Sequence, residues 1–253
     1  MQQRQEVLQV LFDKLDNETD IGKMVFDMNT IFMTKTSEQK TSSEISYIGI
    51  NEELVDQSLN VYDEVLELIQ AINDNDSKEI KDALADILTF GYGAMYILNV
   101  SDFDNLINNY VIKLDNSAFS SMEDFKLQSQ ALATMFTTSE NTIGNIVEAI
   151  HFANEWSRKL NLDLLPLMRA VTKSNYTKLL LTIEEAVKTD SYYEKMGVLQ
   201  RYTKFATIVV DGKEIHYGVL FSGADQTDYN KKAYRRNKFI KCVEFKDPIH
   251  FMS

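Results

Sequence analysis

The sequence predicts a mainly α protein, a helical bundle with a small C-terminal β-hairpin appendage. Only 9 Gly and 2 Pro occur among 253 residues, so long stretches lack the residues that normally end helices or form turns. Apolar residues recur at helical spacing through most of the chain before Tyr192. After Tyr192 apolar and polar residues alternate, as is typical of strands.

Composition narrows the class of function. The formal net charge of -12 repels phosphate backbones and disfavours nucleic acid as a partner. The single cysteine, Cys242, cannot form an internal disulfide, and the opening "MQQRQEVLQVLFDKLDNE" lacks the long apolar run of a signal peptide. No stretch reaches the roughly 18 apolar residues of a membrane span. We therefore expect a soluble cytoplasmic protein with no membrane partner.

The helical region divides into an N-terminal part and a bundle. Two helices, "QEVLQVLFDKL" and "GKMVFDMNTIFM", precede the polar run "TKTSEQKTSSE", which reads as a linker. We predict three domains: an N-terminal helical segment and linker at 1–48, a helical bundle at 49–190, and a β-hairpin with a basic tail at 191–253.

Two helices in the bundle stand out. From 51 to 72 apolar residues stack on one face, and a second helix runs from about Asp76 to Asn99. Asp76 is a suitable N-cap, and Glu79, three residues later, would complete a capping box. The short loop between them predicts an antiparallel pair. Further helices are predicted at 103–113, 121–136, 141–160 and 163–188.

The C-terminal region carries a hairpin signal. "FATIVVDGKEIHYGVLF" alternates apolar and polar residues around Asp211-Gly212, a dipeptide typical of two-residue hairpin turns. "KFIKCVEF" is a candidate third strand. The basic run "KKAYRRNK" between them is interpreted as a solvated connection, or alternatively as a lid that closes over phosphates.

Five carboxylates lie on the two prominent helices. At about 100° per residue, Glu64 and Glu67 lie within about 60° of each other at the border of the apolar stripe, as do Asp82 and Asp86, with Glu79 on the same edge. When the apolar faces pack, these borders meet, and carboxylates that face one another repel unless cations are bound. Oxygen-rich clusters suit Mg²⁺. The simpler interpretation is a solvated surface, and Glu79 is already explained as a capping residue.

These residues resemble motifs of the all-α nucleoside triphosphate pyrophosphohydrolases, which include MazG-like proteins, dimeric dUTPases and phage dCTP pyrophosphatases. "EVLELIQAI" resembles the first motif, ExxE, and "EIKDALADILTF" resembles the second, with Asp86 at its aspartate. "AVTKSNYTKL" is similar to a third element. One departure is that Ala83 stands where the family has glutamate, and Asp82 could substitute for it. In an alternative register, Glu79 and Asp82 fill the second motif.

The resemblance implies a mechanism and a ligand set. Glu64, Glu67 and Asp86 would be catalytic, and Glu64, Glu67, Asp82 and Asp86, with Glu79 the weakest member, would hold Mg²⁺, with Mn²⁺ as an alternative. The ions would neutralise a nucleoside triphosphate and activate water. The substrate would be dUTP or dCTP, converted to the monophosphate and pyrophosphate.

The resemblance also implies substrate contacts and an assembly. Asn175 and Lys178 would contact the sugar or phosphates, Trp156 or Tyr176 would stack on the base, and Lys241 is a candidate from the C-terminal segment. Each has an alternative interpretation as a surface or core residue. We expect a homo-oligomer, dimer or tetramer, in the cytoplasm of a bacterial host if the chain is phage-encoded.

Other functions compete with hydrolysis. A relative that binds nucleotide without hydrolysing it would be consistent with Ala83, because one lost ligand can abolish turnover. An interaction protein could instead use the basic C-terminal hairpin. Glu148 and His151 form one ExxH pair, but a di-iron bundle needs two such pairs, and neither of the other two histidines is preceded by Glu at that spacing.

Overall fold

A computed structural model describes residues 2–32, 34, 47–100, 121–210 and 212–251. The helices are α1 (Gln2–Asp16), α2 (Ile21–Ile31), α3 (Tyr47–Asp74), α4 (Ser77–Ile97), α5 (Met122–Thr138), α6 (Thr142–Lys159), α7 (Leu164–Tyr176) and α8 (Ile183–Lys195). The strands are β1 (Arg201–Val210), β2 (Lys213–Ser222), β3 (Gln226–Thr227) and β4 (Ala233–Tyr234), followed by a 3-10 helix at Pro248–Phe251. The predicted fold class, mainly α with a small C-terminal hairpin, is confirmed.

Some predicted segments lie outside the described residues. These are the helix at 103–113, the polar linker apart from Thr34, and Asp211 of the hairpin turn. Within the described part of the chain, no helix combines the length and the hydropathy that crossing a membrane requires.

Contacts divide the chain into two compact units. The hairpin unit comprises Met1–Asp20, Ile31–Met33 and Arg169–Ser253, and the helical unit comprises Ile21–Thr30 and Thr34–Met168. The predicted division into domains at 1–48, 49–190 and 191–253 stays a prediction.

The helical unit is built on α3 and α4, an antiparallel pair whose apolar stripes are buried. Val61, Val65 and Leu68 of α3 are fully buried, as are Leu84 and Ile87 of α4. Only two residues connect the helices, and the first of them, Asn75, adopts a positive φ of 54°, a conformation that Asn tolerates better than most residues. Helices α5 and α6 pack against this pair.

The start of α4 is capped as predicted, but only in part. The Asp76 side chain accepts from the backbone amides of Lys78 and Glu79 at 3.0 and 3.1 Å. The expected return bond from Glu79 is replaced, because the Asp76 amide donates to the Ala71 carbonyl at 2.9 Å. The Glu79 carboxylate lies 3.9 Å from the Lys78 ammonium. The prediction of a complete capping box is therefore wrong.

The hairpin unit contains the predicted β-hairpin. Strands β1 and β2 pair antiparallel over ten residues each, from Arg201 opposite Ser222 to Val210 opposite Lys213. Gly212 in the connection has a φ of +75°, which glycine adopts without strain. A cluster of buried side chains fills the core of this unit: Leu180, Tyr193, Val198, Leu220, Tyr234, Ile240 and Cys242.

Two predicted elements of this unit differ from the structure. The helix predicted at 163–188 is two helices, because the backbone of Leu180 leaves the helical path to form a β-bridge with Gly218. The Thr182 side chain then caps α8. The third strand predicted at "KFIKCVEF" is absent from the described structure, in which Phe239 forms a single bridge with Phe221.

Candidate carboxylate site in the helical unit

The predicted metal ligands differ in burial. Glu64 on α3 and Asp82 and Asp86 on α4 are half-buried, whereas Glu67 and Glu79 are exposed. The Oδ1 atom of Asp82 is buried. The structure therefore places three of the five acids at the edge of the packed surface of the helix pair, where a charge is harder to solvate.

The register of the α3 and α4 pair brings Glu64 and Asp86 to the same level. A Cβ atom built on Gly93 of α4 would lie 3.7 Å from Oε1 of Gln57 on α3, so the Gln57 side chain reaches Gly93 and the two positions lie within about one helical turn of the same height. Seven residues are close to two helical turns. Moving seven residues toward the connecting loop on each antiparallel helix leads from Gln57 to Glu64 and from Gly93 to Asp86. Glu64 and Asp86 therefore lie at matching heights along the two helices.

A cation bound near two carboxylates relieves the repulsion between them. Two like charges at partial burial disfavour each other by an energy on the order of a kcal/mol. Ala83, where the resemblance expects glutamate, is 4% exposed, so this position belongs to the core. Asp82, on the preceding position, is the half-buried acid of that turn.

The donor chemistry of these acids fits Mg²⁺ bound together with phosphates. Among the described residues, no three His, Cys, Asp or Glu side chains form a group that could hold a metal ion. Mg²⁺ does not require such a group, because it keeps several waters and is usually bound through one or two carboxylates and the phosphates of its substrate. These carboxylates are suited to a metal ion whose other ligands are water and the phosphates of a bound substrate.

Three predicted substrate-binding residues come together in the hairpin unit. The Lys178 ammonium donates to Oδ1 of Asn175 and lies 5.8 Å from the centroid of the Phe245 ring. The Lys241 ammonium lies 4.0 Å from the same centroid. Two lysines 63 residues apart in sequence thus share one aromatic ring. Phe245 was missed in the sequence analysis, and its only signal was its position four residues after Lys241.

Trp156 occupies a different environment. Its side chain is 2% exposed, its ring stacks on Phe125 with centroids 4.4 Å apart, and its indole N–H donates to Gln128 at 2.7 Å. Trp156 therefore belongs to the aromatic core of the helical unit. Tyr176, the alternative stacking residue, is 3% exposed. Stacking on a base by either ring would require that ring to be uncovered.

The ExxH pair on α6 forms part of an ion-pair network. His151 lies 3.3 Å from Glu155, which also pairs with Lys159 at 2.9 Å. Burial raises the pKa of Glu148, and nearby His151 opposes that rise in part. A packing and ion-pair role accounts for these residues.

Comparison with known proteins gives one family and one relative. Residues 28–110 match the model of the phosphoribosyl-ATP pyrophosphohydrolase family. The uncharacterized protein L479 of Acanthamoeba polyphaga mimivirus is 26% identical over 206 residues, which cover 73% of this chain and 80% of that protein. No solved structure matches the chain significantly.

The matched segment contains all five predicted acids. It also contains Gln57 and Gly93, whose contact aligns Glu64 with Asp86. The matched family is described as a pyrophosphohydrolase family. Residues 28–110 thus match a family of the all-α nucleoside triphosphate pyrophosphohydrolase superfamily, and the resemblance inferred from the carboxylate motifs is confirmed for this part of the chain.

Proposed function

We propose that the protein is a Mg²⁺-dependent nucleoside triphosphate pyrophosphohydrolase that acts on dUTP or dCTP. The observation that carries this proposal is the matching height of Glu64 and Asp86 on two packed helices, within the segment that matches the pyrophosphohydrolase family. Carboxylate oxygens are the ligands that Mg²⁺ prefers, which supports a metal-dependent function.

The acids would bind the metal in this scheme. Glu64, Asp82 and Asp86 are half-buried donors, and Glu67 would contribute from its exposed position on α3. Glu79 is the weakest candidate, because it is exposed and pairs with Lys78. When bound, Mg²⁺ or Mn²⁺ supplies neutralisation of the phosphate charge and a lower pKa for a coordinated water. The half-buried setting strengthens the attraction of the carboxylates for a cation.

Lys178 and Lys241 stay predicted phosphate contacts. Within the hairpin unit they bring two ammonium groups to the same ring, that of Phe245. Lysine binds phosphate as a point charge. Asn175 holds the Lys178 ammonium by a hydrogen bond. The cytoplasmic location, the phage origin and the homo-oligomer stay predictions.

Binding without hydrolysis is the second candidate function. It is supported by Ala83, whose buried position carries no carboxylate where the resemblance expects one. Loss of one ligand can abolish turnover while substrate contacts persist. A third candidate, an interaction protein that uses the basic run of the hairpin unit, has weaker support, because this run contributes to strand β4 and a turn.

Pyrophosphate release and nucleotide binding, measured together, test the proposal. The protein is incubated with a panel of ribo- and deoxynucleoside triphosphates in Mg²⁺ and in EDTA. Metal-dependent release from dUTP or dCTP is the expected result. Tight binding without release would replace the proposal by the second candidate, and neither binding nor release would overturn both.

A further inference from the structure

The hairpin unit carries a basic segment in an otherwise acidic protein. The thirteen residues from Tyr229 to Lys241 include six Lys or Arg and no Asp or Glu, whereas the formal net charge of the chain is -12. Exposed charges that are separated by more than about 8 Å are largely screened at physiological ionic strength, so an anionic partner responds to the local charge. The negative charge of the whole chain therefore does not exclude an anionic partner for this segment.

The turn between β3 and β4 directs its bases outward and its acid inward. Lys231 and Lys232 of this turn are exposed. The Asp228 carboxylate is 6% exposed and accepts the backbone amides of Asn230 and Lys232 at 2.8 and 2.9 Å. These hydrogen bonds stabilise the carboxylate inside the turn, while the two lysine side chains lie at the surface.

The other end of the basic segment is fixed to the β-hairpin. The Asn237 amide donates to the Ser222 carbonyl at 2.8 Å, and the Ser222 amide donates to the Lys238 carbonyl at 3.0 Å. Arg236 and Lys238, on either side of Asn237, are exposed. The Arg236 amide donates to the Asp225 carboxylate at 2.8 Å. The two cationic side chains are therefore presented by a hydrogen-bonded backbone.

An exposed tyrosine lies at each end of the basic segment. At the turn, a Cβ atom built on Gly197 would lie 2.7 Å from Cε1 of Tyr229, so the ring lies against this glycine, yet Tyr229 is 76% exposed. The Tyr229 amide also donates to the Met196 carbonyl at 2.9 Å. At the other end, the Tyr202 hydroxyl donates to Oδ1 of Asn237 at 3.0 Å. Both rings are held in place by the protein and are open to solvent on part of their surface.

A further cation lies beside Tyr202. The Tyr202 ring is 37% exposed and stacks on Phe221, with the ring planes within 8° of parallel and the centroids 5.2 Å apart. The Lys204 ammonium lies 4.7 Å from the centroid of the same Phe221 ring. An exposed aromatic ring and an ammonium group thus border one buried phenylalanine.

We infer that this surface, here called the basic strip, binds single-stranded nucleic acid. Its cations and its two terminal tyrosines are Lys204, Lys231, Lys232, Arg236 and Lys238, with Tyr229 and Tyr202. Proteins that bind single strands without sequence preference combine cations that follow the phosphates with aromatic rings on which bases stack. The inference goes beyond the proposed function and does not depend on it.

The combination of charge and rings favours a single strand over other anions. A duplex hides the faces of its bases, so it would use the cations of the basic strip but not the tyrosines. A free nucleotide has one base and would occupy one of the two tyrosines. A single strand offers phosphates and successive unstacked bases together, so it uses both kinds of side chain.

Fluorescence anisotropy tests the inference. The intact protein is titrated, in EDTA, against a labelled oligothymidine of about 12 nucleotides that carries no triphosphate. We expect a Kd between about 1 and 100 µM at physiological salt, at least about 5-fold tighter than for a duplex of the same length. The affinity should fall at least about 10-fold between about 50 and 200 mM salt, because phosphate contacts release counterions.

A charge variant should change the salt dependence. Arg236→Gln with Lys238→Gln should reduce the slope of log K against log salt by about 1.4, since each phosphate contact of a single strand contributes about 0.7. The matched control is Lys188→Gln with Lys195→Gln, which removes the same charge from two exposed positions of α8. This control should leave the slope unchanged.

A ring variant should change the affinity alone. Tyr229→Ala should raise the Kd at least about 5-fold with an unchanged salt slope, because it removes a stacking surface and no charge. Tyr229→Phe keeps the ring and should keep the native Kd, and Tyr192→Ala, at an exposed tyrosine of α8, should do the same. The midpoint of thermal unfolding of each variant shows whether its fold is retained.

Several outcomes would contradict the inference. These are no binding up to about 100 µM protein, equal binding of the duplex, and equal losses in the strip variants and their controls. Tighter binding to vesicles of phosphatidylcholine and phosphatidylserine, with the same dependence on Arg236 and Lys238, would assign the basic strip to a membrane surface instead. None of these outcomes bears on pyrophosphate release, which is measured with nucleoside triphosphates in Mg²⁺.

Discussion

Acids in the two units of the protein differ in burial and in the side chains near them. In the hairpin unit the Glu185 carboxylate lies 2.9 Å from the Arg4 guanidinium and accepts the Leu181 amide at 2.9 Å. In the helical unit the register places Glu64 at the height of Asp86, another acid. The comparison teaches that burial alone does not define the role of an acid, because the charges and hydrogen-bond donors around it also determine how well its charge is stabilised.

The structural acid belongs to a network with many partners. Besides Glu185, the Arg4 guanidinium donates to the carbonyls of Leu179 and Thr177 at 2.8 and 2.7 Å and contacts the Cys242 sulfur at 3.7 Å. Arg4 thereby ties the start of α1 to the segment between α7 and α8. Burial raises the pKa of the Cys242 thiol, while the Arg4 cation opposes that rise in part.

The largest expected effect concerns the acids that are proposed to bind the metal. Glu64→Gln, and likewise Glu67→Ala, should lower pyrophosphate release at least about 1,000-fold, because the charge stabilisation supplied by a metal ion is worth several kcal/mol. Helical content by circular dichroism should not change. The control is Glu140→Gln, a change of the same kind at an exposed loop position; full activity in Glu64→Gln would contradict the comparison.

The structural acid should respond in the opposite way. Arg4→Met leaves the Glu185 carboxylate buried without its cation, and we expect a loss of about 3 kcal/mol in the free energy of unfolding. Gln5→Met, at the neighbouring exposed position, serves as the control in urea unfolding. The double variant Arg4→Met with Glu185→Met should recover much of the loss, because no lone charge remains. A double variant as unstable as Arg4→Met would show that the ion pair is not the cause.

The close packing of α4 on α6 at Gly91 should contribute to the stability of the helical unit. Gly91→Ala pushes a methyl group into Ile150 and should cost about 1 to 3 kcal/mol of unfolding free energy. Adding Ile150→Ala should reduce the combined cost below the sum of the two single costs, since the removed atoms are those that collide. Additive costs in thermal or urea unfolding would argue against close contact between α4 and α6.

Glu148 offers the smallest test, as an acid that faces both signs of charge. Its pKa is raised above 4.5, mainly by burial, with His151 lowering it and Glu155 raising it. An acid with a raised folded pKa contributes stability that is present below its unfolded pKa and lost as pH rises through the folded value.

Glu148→Gln, which stays neutral, should therefore gain stability relative to the native protein between pH 4 and pH 7. The gain should be under about 1 kcal/mol, because the half-buried carboxyl is screened by solvent. Urea midpoints of both proteins at the two pH values provide the measurement. An equal difference at pH 4 and pH 7 would mean that Glu148 does not titrate in this range.

Local patterns in the sequence determined much of the outcome. The stripe of Val61, Val65 and Leu68 and the cap at Asp76 specify α3 and α4, and Asp211-Gly212 lies between the two paired strands, because helical periodicity and turn chemistry act over a few residues. The same patterns placed the candidate acids on adjoining helices. The motif spacing around Glu64 and Asp86 was sufficient to indicate the superfamily.

Only the tertiary structure decided which distant residues meet. The chain after α7 forms the bridge between Leu180 and Gly218, and in the described residues a single bridge between Phe239 and Phe221 stands in place of the predicted third strand. Periodicity cannot predict either, because each is a contact across many residues. The Phe245 ring that Lys178 and Lys241 share likewise arises from packing between distant segments. The conformation of a single helix or strand follows from its own residues, but the side chains that pack against it depend on the whole fold.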